Sequence, residues 1–242
     1  MILDINKNHL LLGLLSIGLG LLIGISIFSF VFYKVKSFEN TITVIGSAKE
    51  KVVSDTIKWT GILKIETPRS NLGDGYKKLN GDLNKIKKFF EESGITESQL
   101  IIRTPFLETP WCGSSYCDYV IINQEIILNS KDIQRITKLE EKRRKLIEEG
   151  INFTTYSLDY FYSGLPNLRI KLFKEAMKDA RKRAESILEI SNKKLGSLKS
   201  VSAGIVQVLA PNSVEISDYG TYDTRTIEKE VMVTVKDVFL LR

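Results

Sequence analysis

From Asn8 to Tyr33 the chain carries no Asp, Glu, Lys or Arg, and Leu10 to Tyr33 is a 24-residue run dominated by Leu, Ile, Gly, Phe and Val. As a helix rising about 1.5 Å per residue it would reach roughly 36 Å, enough to cross a hydrocarbon core of about 30 Å with some tilt. A cleaved signal peptide has a shorter apolar stretch that ends in small residues. Here the end reads FSFVFYKVK, so an uncleaved anchor over residues 1–36 is the expectation. Phe28, Phe30, Phe32 and Tyr33 sit where an interfacial aromatic band belongs. Within the run, Ser16, Gly20 and Gly24 recur every four residues and share one helix face, the small-residue spacing by which two membrane helices pack closely.

The remaining residues, 37–242, are enough for one large domain or two small ones. Their excess of basic over acidic residues is +4, spread among alternating signs, which describes a solvated surface rather than a nucleic-acid-binding stripe. No nucleic-acid partner is expected.

Alternation then reads as strands and three-to-four spacing as helices. TITVIG and DTIKWTGILKIET are strands, the second placing Ile57, Trp59, Leu63 and Ile65 on one face. Leu72, Tyr76, Leu79, Leu83, Ile86 and Phe90 make an amphipathic helix that Gly94 ends in the left-handed cap conformation. Gly73, Gly75 and Gly81 weaken its first half. Strands follow at about 100–108 and 119–128. A helix then carries Ile133, Ile136, Leu139, Leu146 and Ile147, with Ser130 as its cap and Gly150 as its stop. A third helix, LFKEAMKDARKRAESILEIS, sets Leu172, Ala176, Ala180, Ala184 and Leu188 four apart, so that a groove of small side chains admits a neighbouring backbone or helix. Strands at about 197–209 and 225–239 close the chain, joined by the turn-rich loop Pro211–Thr224. The fold class is therefore α+β, with mixed or antiparallel sheets and about three packed amphipathic helices behind one N-terminal transmembrane helix. Similar helix exits at FFEESGI and LIEEGI suggest two related strand-helix-strand halves, about 40–110 and 116–242.

With these elements placed, residues from about Asn40 to Leu241 resemble the SIMPL-domain family of exported and envelope-associated bacterial proteins. The carriers are TITVIGSAKEKVVSDT, SGITESQLIIRTPFLE, the block KEAMKDARKRAESILEISNKKLGSLKSVS and the closing VMVTVKDVFLL. The resemblance implies a mixed α+β domain outside the cytoplasm that forms homo-oligomers in some members, with no established catalytic residues. The anchor in place of a cleaved signal and the cysteine loop depart from the family pattern.

Chemistry is narrowed mainly by what is scarce. His9 is the sole histidine and lies at the edge of the apolar run, which removes histidine-activated nucleophiles and most zinc shells from the folded part. No phosphate-binding Gly-x-x-x-x-Gly-Lys loop is present. No enzymatic activity, cofactor or metal is expected. Cys112 and Cys117, in TPWCGSSYCDY, supply only half a tetrahedral metal shell, and their spacing is not that of the Cys-x-x-Cys redox motif. A disulfide across a hairpin tip or two free thiols remain, and the disulfide is the expectation. Bridges persist in oxidising compartments, so the cysteines argue with the family for a head on the outer side of the cytoplasmic membrane, periplasmic or extracellular. Lys34, Lys36, Lys49 and Lys51 argue the other way, but long domains translocate largely regardless of such charges.

The expected partners are the membrane, through the anchor, and further copies of the chain, through the face of Ala176, Ala180 and Ala184 and the anchor residues Ser16, Gly20 and Gly24. The alternative is a ligand- or protein-binding module using Asp218, Tyr219, Tyr222 and Asp223 of the 211–224 loop, joined by Trp111 and Tyr116, because loops on rigid scaffolds often carry recognition. A carboxylate-dependent enzyme is the third reading.

Overall fold

The computed structural model describes residues 7–37, 40–213 and 217–242. The anchor flank at 1–6 and residues 214–216 of the predicted binding loop lie outside the described residues. Helix α1 (Lys7–Ser37) is continuous, and its window Leu12–Lys36 is apolar, unburied and long enough to cross a membrane, as a single-pass anchor or a signal sequence would be. Phe28 and Phe32 stack at 6.2 Å, and Lys34 and Lys36 reach back over the rings of Phe30 and Phe32.

The α+β expectation holds. Strands β1 (Thr41–Val53) and β2 (Thr56–Pro68) lead into α2 (Leu72–Glu92), then β3 (Leu100–Ile102), β4 (Phe106–Glu108), the two-residue strands β5 (Trp111–Cys112) and β6 (Ser115–Tyr116), and β7 (Tyr119–Ser130). Next come α3 (Ile133–Lys142), α4 (Arg144–Glu148), β8 (Phe153–Phe161), α5 (Leu165–Leu188), β9 (Leu195–Ala203), β10 (Gln207–Leu209) and β11 (Glu228–Leu241). Both helix exits turn on glycines with positive φ, Gly94 at +72° and Gly150 at +77°. The chain separates into two compact units, one of Met1–Ala48, Phe173–Gly204 and Thr234–Arg242, the other of Lys49–Leu172 and Ile205–Val233.

The larger unit is built on an antiparallel sheet of order β3-β7-β2-β8, with β4 also on β7. The inward face of β2, namely Ile57, Trp59, Leu63 and Ile65, meets Leu79, Ile86 and Phe90 of α2 and Ile136, Leu139 and Leu146 of α3 and α4 in one core. Trp59, Phe90 and Phe153 meet edge to face at 5.5–6.4 Å, the geometry that ring quadrupoles favour. Gly75 is buried on α2, and a β-carbon there would lie 2.6 Å from Thr67 Cγ2 and 2.9 Å from Ile122 Cδ1. The glycine that costs helix propensity therefore lets α2 sit down on its sheet.

Four boundaries differ from expectation, and the first is the predicted strand at about 100–108, which is broken into β3 and β4. Ser130 ends β7, and the cap of α3 is Asp132, whose carboxylate accepts from Arg135 N at 2.9 Å while Ser130 Oγ accepts from Asp132 N. One predicted helix is two, α3 and α4, meeting at Arg143. The predicted strand 197–209 is β9 and β10, and both pair antiparallel with β11.

A second sheet has the order β1-β11-β10, with β9 also on β11. In the smaller unit, Ala176, Ala180 and Ala184 of α5 are fully buried against Val235, Val44 and Phe239. A β-carbon at Gly46 would collide with the Ala176 carbonyl and stand 2.5 Å from Ala180 N. This corrects the expectation that the alanine face binds another copy: the chain's own β1 and β11 already cover it.

Candidate functional site

The hairpin β5–β6 pairs Trp111 with Tyr116 and Cys112 with Ser115 around the turn Gly113–Ser114, Gly113 having φ +77°. Cys112 and Cys117 are bridged, their Cα atoms 5.1 Å apart. Cys117 N donates to Pro110 O at 3.0 Å, and the Trp111 indole N–H donates to Gly113 O. Ring closure and these bonds hold two aromatic side chains outward: Trp111 and Tyr116 pack edge to face at 5.0 Å yet remain 62% and 59% exposed. The Arg69 guanidinium lies 5.7 Å from the Tyr116 ring centroid, within cation–π reach, and Arg69 N donates to Asp118 O. Phe106 and Leu107 of β4 are exposed as well.

The 211–224 loop divides into a scaffold and a tip. Asp223 accepts from Arg225 N, from both Thr226 N and Thr226 Oγ1, and from Lys229 Nζ. Burial pushes this carboxyl up, but the hydrogen bonds outweigh it and the pKa lies below the usual value. Lys229 is wholly buried and also donates to the carbonyls of Thr226 and Asp223; burial lowers its pKa, against the pull of Asp223. Tyr222 Oη accepts from Tyr162 N at 3.1 Å, its ring 5.8 Å from Phe161. Tyr222 and Asp223, predicted as binding residues, thus fasten the loop down. Asp218 is left beside Tyr219, which is 96% exposed. Among the described residues no hydrogen bond or ring contact joins this tip to Trp111 or Tyr116.

Two carboxylate arrangements escaped sequence reading. Glu140 accepts from Trp59 Nε1 at 3.0 Å, from Thr155 Oγ1 and from Arg143, which also donates to Phe153 O. Burial raises this carboxyl, and the three donors together with the Arg143 charge more than offset that, leaving it lowered. Asp55 accepts from Ser163 Oγ at 2.6 Å and Ser163 N at 2.9 Å, and the hydroxyl bond is the chief cause of its lowered pKa. Each is engaged by donors of its own chain, as a fold-stabilising carboxylate is. Only the pairing of residues far apart in sequence reveals them. In the anchor, Ser16 Oγ folds back on Gly13 O at 2.8 Å, and Gly20 and Gly24 have no neighbour within 4 Å of an added β-carbon.

A search of curated proteins returns no match. The family model for SIMPL, described as "Protein of unknown function (DUF541)", matches residues 42–238. That span takes in both sheets, the cysteine hairpin and the alanine-faced α5, and the chain accordingly belongs to the SIMPL family.

Proposed function

We propose that this is a non-enzymatic protein of the cell envelope, tethered by α1 in the cytoplasmic membrane, whose head lies outside the cytoplasm and acts by association. The observation that carries this reading is the Cys112–Cys117 bridge beneath two uncovered aromatic rings. A bridge implies an oxidising compartment, and a closed hairpin presents Trp111 and Tyr116 at little conformational cost, as recognition anchors require. Association with further copies runs through the anchor face of Ser16, Gly20 and Gly24, which the head does not cover and whose serine hydroxyl is internally satisfied.

Maleimide labelling of intact cells, with and without a membrane-impermeant reductant, tests compartment and bridge together. Labelling only after reduction is expected; cysteines that react without reductant only once cells are lysed would place the head inside and end the proposal. Cross-linking in native membranes with sizing of the detergent-extracted protein tests self-association. A monomer by both measures removes that part, and Gly20→Leu with Gly24→Leu should shift the oligomer towards monomer. A second reading, partner capture by the loop tip, is favoured by the exposure of Tyr219. Tyr219→Ser and Trp111→Ser, made separately, tell which surface a captured partner uses.

A further inference from the structure

Among the described residues strand β1 pairs in its sheet with β11 alone, which leaves its other edge open. Leu241 N donates to Asn40 O at 2.9 Å and Ser54 N to Ile227 O at 2.8 Å. The strands therefore run antiparallel, with the even-numbered residues of β1 turning their amide and carbonyl groups towards β11. The odd-numbered residues turn theirs outward. One outward group is occupied: Ser47 N donates to Asp179 Oδ2 of α5 at 2.8 Å. Thr43 and Ile45, earlier on the same edge, have no such partner among the described residues. Exposed edges are commonly blunted by lysine or proline, yet TITVIG is uncharged and rich in β-branched residues, and the first lysines come at 49 and 51.

This open length lies in a groove of about 650 Å³ lined by Thr43, Val44 and Ile45 on one side and by Lys182, Arg183, Ser186 and Ile187 of α5 on the other. Ile45 and Ile187 are each more than half exposed. The lining holds two cations and no carboxylate. Arg183 is partly held by Asp179 and Ser47 Oγ at the inner end, where the Asp179–Ser47 bond also marks how far an incoming strand can run. An unpaired strand edge beside a helix wall is the arrangement by which sheet proteins take up an extended peptide, backbone bonds giving affinity and the wall giving selectivity.

We propose that the groove between β1 and α5 binds an extended, acidic segment of a partner protein, which adds as a strand along Thr43–Ile45 with carboxylates facing Lys182 and Arg183. A second copy adding by the same edge would bring its own Lys182 and Arg183 to this face, and like charges oppose that. The proposal goes beyond tethering and does not rest on self-association.

The test uses the full chain in detergent with a fluorescent eight-residue peptide of alternating Val and Glu as probe, and its Val-Lys counterpart as control. Binding of the acidic probe, followed by anisotropy, should slow hydrogen exchange at Thr43 and Ile45 roughly tenfold or more while leaving the inward amides unchanged. Lys182→Glu should weaken the acidic probe roughly tenfold and improve the Val-Lys peptide. Ile45→Pro removes an outward N–H without touching the ladder to β11 and should abolish binding. Should Ile45→Pro fail to fold, Lys182→Glu at the surface still decides. Equal binding of both peptides, unprotected Thr43 and Ile45 amides, or displacement of the probe by inorganic phosphate at millimolar concentration would each overturn the proposal. So would protection of those amides without probe that rises with protein concentration, because a second copy would then hold the edge.

Discussion

α2 and α5 each lay one face on an antiparallel sheet, and they do it with opposite side-chain sizes. Under α2 the contact is made by Leu79, Ile86 and Phe90 against Trp59, Ile122 and Phe153, all nearly or wholly buried. Under α5 it is made by Ala176, Ala180 and Ala184, with a glycine at position 46 of the facing strand. Large residues fill a wide gap with apolar area, and small ones close a narrow gap by bringing backbone to backbone. Interiors are close-packed in either case, so the first contact should fail by loss of volume and the second by its gain.

The largest effect is expected from Phe153→Ala, which empties the centre of the Trp59–Phe90–Phe153 cluster and should cost about 4 kcal/mol in chemical denaturation. A cost below about 1 kcal/mol would mean that the cluster is not the centre of that core. Gly46→Val tests the other contact. Its side chain has no room beneath Ala176 and Ala180, and a loss of about 3 kcal/mol is expected, whereas a neutral result would show that α5 does not sit so close. Run side by side, Leu79→Ala and Ala180→Leu should both destabilise although they change volume in opposite senses.

Two carboxyls extend the comparison to pH. The lowered pKa of Glu140 means that its contribution is present above the unfolded carboxyl value and is lost as pH falls through the folded one. Glu140→Ala leaves Trp59 Nε1, Thr155 and Arg143 short of an acceptor; it should cost about 2 kcal/mol at neutral pH and flatten the acid limb of a stability profile. Asp237, on β11 in the smaller unit, is 1% exposed with no partner for Oδ1, and burial raises its pKa. The folded state then keeps a proton that the unfolded state has given up. Stability is full below the unfolded carboxyl value and declines as pH rises through the window up to the folded one. Asp237→Asn should therefore gain about 1 kcal/mol at pH 7 and remove that decline, the smallest of the expected effects and opposite in sign to that of Glu140.

Much of the fold was legible because periodicity reports which face of an element is buried. The strands β2, β7 and β11, the helices α2 and α5 and the glycine exits all follow from spacing; at Cys112 and Cys117 a disulfide was the expectation beside free thiols, and the structure has the bridge. Spacing does not say what covers a face. The alanine row of α5 was readable as a place of close approach, but only Gly46, well over a hundred residues away, shows that the chain's own sheet makes the approach. Tyr222 and Asp223 were readable as polar loop residues; Lys229 and Tyr162, brought in from β11 and the end of β8, turn them into fasteners. Asp132 displaced Ser130 as a cap because the preceding strand ran on through Ser130.

The apolar helix and the α+β class were already set by local periodicity, which depends on neighbours within a turn or a strand, and the family likeness by the order of motifs along the chain. Tertiary structure alone decided which small residues are buried, which loop aromatics are anchored, where Glu140 and Asp237 find or lack donors, and that β1 keeps an open edge. Those outcomes depend on pairings between distant segments, and the free energy of a buried polar or packed group is set by the partner that arrives rather than by the residue's own type.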